Sequence, residues 1–73
     1  MNKQQAIEII EREPVGGSQF YETKNDRFYI KFSGKWFAFS LLEGNWVKCQ
    51  VSLKTKESLT PMHEILEIAL GED

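Results

Sequence analysis

"GKWFAFSLLEGNW", residues 34–46, holds four of the chain's nine aromatic side chains: Trp36, Phe37, Phe39 and Trp46. Successive side chains of a strand point to opposite faces. Phe37, Phe39 and Leu41 therefore share one face, and Trp36, Ala38, Ser40 and Leu42 the other. The flanking runs alternate in the same way. "FYIKF" sets Phe28, Ile30 and Phe32 against Tyr29 and Lys31, and "WVKCQVSL" sets Val47, Cys49, Val51 and Leu53 against Trp46, Lys48 and Gln50. Three strands with one apolar face each predict an antiparallel sheet. "SQFYET" before them reads as a first strand, joined through the turn-prone "KNDR".

Register follows from the turns, because a slip of one residue exchanges the two faces. A two-residue loop at Gly34-Lys35, with glycine opening a type II′ turn, sets Phe32 against Phe37, Ile30 against Phe39 and Phe28 against Leu41. A three-residue loop at Glu43-Gly44-Asn45 then sets Leu41 against Val47 and Phe39 against Cys49. Both choices keep the apolar faces together.

Outside the sheet the period lengthens to that of a helix. "NKQQAIEIIERE" puts Ala6, Ile9 and Ile10 on one stripe with Ile7 beside it, over about residues 3–12, and "PVGGS" ends it. "LTPMHEILEIALGED" is the clearest element: Thr60 suits the cap, Pro61 the first helical position and Gly71 the stop. Met62, Ile65, Leu66, Ala69 and Leu70 form its apolar stripe, while "KTKES" before it reads as a solvated connection. The expected fold is α+β: one domain over residues 1–73, a four-stranded antiparallel meander with an N-terminal and a C-terminal helix, α-β-β-β-β-α.

These registers give the face away from the core an unusual content. Tyr29, Trp36, Leu42 and Trp46 stand on it, with Lys31 and Lys48 between them. Two tryptophans on an open sheet face need a reason. Three readings compete. One of the chain's own helices covers the face, with Ile7 as a contact. Alternatively, the face docks on another protein or a second copy, where Trp and Tyr are favoured anchors and lysine stems cover apolar surface. In the third, single-stranded nucleic acid stacks its bases on Tyr29, Trp36 or Trp46, while Lys31, Lys35, Lys48, Lys54 and Lys56 meet phosphates. Four strands followed by a helix resemble the single-strand-binding fold of the positive-cofactor family of transcriptional coactivators. That likeness implies the third reading.

Charge and composition narrow the choice. The formal net charge is −2, with the middle of the chain mildly basic and both ends acidic. This is not the strongly basic footprint of most nucleic-acid binders. One cysteine, Cys49, excludes an internal disulfide and a cysteine-cluster zinc site, and His63 is the sole histidine. Cys49 reads as a small buried hydrophobe, and His63, Glu64 and Glu67 as surface residues. "PVGGS" precedes a strand, so it lacks the helix a phosphate loop requires. No metal, cofactor or catalytic group is expected. No apolar run approaches the roughly 18 residues of a membrane span. The acidic N-terminus is unlike a signal peptide, so a cytoplasmic location is expected.

The reading that emerges is a small non-enzymatic protein-binding module, an adaptor, regulator or inhibitor. Inhibitors carried by phages and mobile elements have this size. Its partner-binding residues are Tyr29, Lys31, Trp36, Leu42, Trp46 and Lys48, and the alternative is single-stranded nucleic-acid binding on the same face.

Overall fold

A computed structural model describes residues 1–71. Helix α1, Lys3–Glu11, begins at a capping box: the Asn2 side chain accepts from the Gln5 N–H while the Gln5 side chain accepts from the Asn2 N–H. Strands β1 (Phe20–Glu22), β2 (Arg27–Phe32), β3 (Lys35–Ser40) and β4 (Asn45–Cys49) follow as a meander. A one-turn helix α2, Leu53–Glu57, a short strand β5, Leu59–Pro61, and helix α3, Met62–Leu70, complete the chain. The sheet is antiparallel throughout, with strand order β4-β3-β2-β1-β5.

The α+β class and its antiparallel sheet are as expected, but the sheet has five strands where four were expected. The fifth falls within "LTP", where Phe20 pairs with Pro61, Tyr21 with Thr60 and Glu22 with Leu59. Three residues are too few for alternation to show, and only long-range pairing reveals them. Thr60 therefore sits in β5 and makes no cap, and α3 starts after Pro61 without a side-chain cap. "KTKES" is mostly helical rather than open connection, because Ser52 Oγ accepts from the Thr55 N–H at 3.1 Å and starts a turn.

Both hairpin registers differ from expectation. The β2–β3 turn is Ser33-Gly34, with φ of +52° and +74° and Phe32 opposite Lys35. Two left-handed residues make a type I′ turn, whose twist matches the strands better than the expected Gly34-Lys35 loop. This slip is two residues, so the faces are kept. The β3–β4 turn spans residues 41–44, with Ser40 opposite Asn45, Ala38 opposite Val47 and Trp36 opposite Cys49. Gly44, at φ +64°, donates its N–H to the Ser40 carbonyl at 2.8 Å, and the Glu43 N–H reaches Ser40 Oγ at 3.3 Å. Relative to the expected three-residue loop the slip is odd. It carries Trp46 and Lys48 to the other face of the sheet.

The core lies between the two helices and one face of the sheet. Ala6 and Ile9 of α1 and Met62 and Ile65 of α3 close over Tyr21 and Phe28, with Ile10, Phe39, Trp46, Ile68 and Ala69 at its margin. The expected α3 stripe is turned slightly: Ile68 packs inward, while Leu66 and Leu70 are exposed. Outside this core, Tyr21 and Arg12 both donate to Asp26 Oδ1, tying the end of α1 to the β1–β2 turn. The Tyr21 hydroxyl, and then Arg12, hold the Asp26 carboxyl below its usual range, while burial and Asp26 push the Tyr21 phenol up.

Two stability predictions follow from these contacts. Ile65 is fully buried, so Ile65→Ala should cost about 3 kcal/mol in urea unfolding, a large share of the stability of so small a domain. A depressed carboxyl pKa contributes stability above its unfolded value, and that contribution is lost as pH falls through the folded one. Asp26→Asn should therefore have a lower urea midpoint than wild type at neutral pH, with the gap closing as pH falls below the ordinary aspartate value of about 3.9.

Candidate protein-binding surface

The sheet has two faces, and the pairing assigns every strand residue to one of them. On the helix side Thr60, Tyr21, Phe28, Phe39 and Trp46 form one row, and Ile30, Phe37 and Lys48 the next, with Phe32 and Lys35 beyond. On the opposite side Pro61, Phe20, Tyr29, Ala38 and Val47 form the middle row. Glu22 and Arg27 lie to one end of that row, and Lys31, Trp36 and Cys49 to the other.

The opposite face is crossed by the chain itself. β4 and β5 are the two edges of the sheet, and residues 50–58 link them. The link passes on this side, where Lys56 Nζ stands 6.0 Å from the Trp36 ring centre. Lys31 Nζ approaches the same ring at 5.6 Å, and Phe20 and Tyr29 pack against it at 5.5 and 6.5 Å between centroids. Beneath the crossing Tyr29 is 5% exposed and donates its hydroxyl to Glu22 Oε1, itself in a residue 3% exposed. Burial, with the Glu22 carboxylate beside it, pushes the Tyr29 phenol above its ordinary value. The expectation that this face is open is corrected: Tyr29 at its centre is sealed, and Lys56 of the linking segment reaches over Trp36 beside it. One corner stays open as a shallow hollow of about 430 Å³ lined by Ala38, Val47 and Cys49, with Leu41 and Leu42 at its rim. Burial raises the Cys49 thiol, which makes it a poor nucleophile at neutral pH.

The helix side is the less completely covered one. A nine-residue helix is about 13 Å long, whereas a six-residue strand reaches about 20 Å. The helices close over the Tyr21–Phe28 row and stop short of the next. Ile30, Phe37 and Trp46 are half-buried, and Phe32 is 70% exposed. Trp46 packs edge-on against Phe39 at 5.4 Å, which fixes its ring at the margin of the core. Lys35 and Lys48 stand exposed beside this apolar strip, and no acidic residue of β2, β3 or β4 shares the face.

The six expected partner residues are thus not brought together. Tyr29, Lys31 and Trp36 share the crossed face, where Tyr29 is sealed and Trp36 half-buried. Trp46 and Lys48 lie on the helix side. Leu42 has left the sheet and is fully exposed in the β3–β4 turn. The two tryptophans do not share a face, which corrects the geometry on which the sequence reading rested. Phe32, Phe37 and Ile30 were missed as surface because an apolar face was equated with a buried one. The available signal was helix length, too short to span the strands.

Among the described residues no three His, Cys, Asp or Glu side chains are grouped to hold a metal, and no helix is long and apolar enough to cross a membrane. His63, Glu64 and Glu67 are exposed on α3. The chain matches no protein-family model, no curated protein and no solved structure. The likeness to the positive-cofactor family rested on four strands leading into a helix, and here α2 and β5 stand between β4 and the last helix.

Trp36 joins β3 to β1, β2 and the crossing segment. Trp36→Ala should lower stability by about 2–3 kcal/mol in thermal or urea unfolding. A variant as stable as wild type would show that the crossing segment is not held by this ring.

Proposed function

We propose that this chain is a small non-enzymatic protein-binding module that engages its partner through the uncovered strip on the helix side of the sheet. The observation that carries the reading is Phe32, 70% exposed at the end of an apolar strip formed with Ile30, Phe37 and Trp46. Contiguous apolar surface on a small domain is costly to leave in water, and its rings are of the type that anchors protein interfaces. Lys35 and Lys48 lie beside it with no carboxylate from the same strands on that face, so a partner offering an apolar anchor and acidic neighbours fits best. Adaptor, regulator and inhibitor roles all use such a surface.

Stacking of single-stranded nucleic acid is less well supported. Tyr29 is buried, and both Lys31 and Lys56 already lie over the Trp36 ring. Of the two arginines, Arg12 is engaged with Asp26.

Phe32→Ser should change stability by less than about 0.5 kcal/mol, since the side chain is largely in solvent. The same substitution should remove the partner recovered with the tagged wild-type protein from its own cells, and Lys35→Glu with Lys48→Glu should weaken its capture. A partner retained by Phe32→Ser would reject the strip. Salt-sensitive quenching of tryptophan fluorescence by an oligonucleotide, abolished by the lysine changes, would favour nucleic acid instead.

A further inference from the structure

The two edges of the sheet are built differently. β5 has three residues and ends at Pro61, which has no N–H to offer a neighbour. β4 has five, Asn45–Cys49, with no proline, and pairs with β3 alone. Long unblocked edges invite a further strand.

Pairing fixes which backbone groups β4 turns away from β3. The Ser33-Gly34 turn closes on Phe32 and Lys35, the pair that exchanges both hydrogen bonds in a two-residue hairpin. Antiparallel alternation then directs Trp36, Ala38 and Ser40 toward β4, where Cys49, Val47 and Asn45 meet them. The N–H and C=O groups of Trp46 and Lys48 point away from the sheet; the Trp46 N–H donates to Asn45 Oδ1 at 2.8 Å, a local bond that a pairing strand would displace.

We propose that β4 pairs antiparallel with β4 of a second copy, about a two-fold axis through Val47, giving one continuous sheet of both chains. In that register Trp46 of each copy stands opposite Lys48 of the other, so the two residues with outward peptide groups bond to each other twice over. All four side chains fall on the helix side, with an ammonium next to each indole. On the other side Val47, 38% exposed, meets its own copy, and Asn45 meets Cys49. An axis through Lys48 would instead place like charges opposite each other. A self-complementary patch of this kind closes as a dimer and leaves no further edge of β4 type.

This inference concerns the edge and stands apart from the strip, since Phe32 takes no part in it. Sedimentation equilibrium from micromolar to millimolar protein should show a concentration-dependent dimer. Val47→Lys should shift it to monomer, with a melting temperature equal to that of wild type at dilutions where wild type is itself monomeric. The register has its own test: Asn45→Cys, with native Cys49 retained, should oxidise to a covalent dimer linked from position 45 to Cys49 of the other copy. Those positions form a non-hydrogen-bonded pair about 4.5 Å apart at Cα, within disulfide reach. Wild-type protein that stays monomeric throughout, a dimer indifferent to Val47→Lys, or a link mapped to another pair of positions would each overturn the proposal.

Discussion

The hydrogen bond from the Gly44 N–H to the Ser40 carbonyl sets the arrangement of everything after β3. It closes a four-residue turn that only a left-handed residue at position 44 completes comfortably. The length of that turn determines the parity of β4, and parity determines where Trp46 goes. With Trp46 on the helix side, its ring joins Phe39 at the core margin. Val47 and Cys49 are left for the side that the chain later crosses. One turn residue more or fewer would exchange those roles and take Trp46 away from Phe39 and the core margin.

Legibility in the sequence followed the strength of each periodic signal. Both terminal helices and the three longer strands could be read, because their apolar side chains recur at 3.6 or at two over enough residues to be unambiguous. The parity of β4 could not, because "WVKCQV" is credible either way: one face offers Trp46, the other Val47 and Cys49. A face rule based on matching apolar sides cannot choose between two apolar sides. β5 escaped notice for a different reason. Its three residues earn strand geometry only by pairing with β1 far back in the chain, and Thr60-Pro61 also resembles a helix start.

The candidate site was legible in its residue types and not in its location. Aromatic and lysine side chains do mark exposed parts of this domain, yet on the expected face Tyr29 is buried and Trp36 half-buried. Tyr29 shows why. A tyrosine flanked on its own face by Arg27 and Lys31 looks solvent-directed, but here its hydroxyl satisfies the buried Glu22 carboxylate. The pair can stay beneath the crossing segment because each supplies what the other's burial would otherwise lack. Conversely, Phe32 looked like core and is surface, because short helices leave strand ends uncovered.

The pairing of Phe20 with Pro61 also has a kinetic meaning. The meander from β1 to β4 is made of neighbouring hairpins and can assemble from local encounters. Seating β5 beside β1 closes a loop of about forty residues, whose entropy is charged before any contact repays it. The final strand and its helix thus form a late-arriving flap. Until it lands, Tyr21 and Phe28 have only half of their eventual cover, so a nascent or briefly opened chain presents a greasy surface that the finished fold conceals.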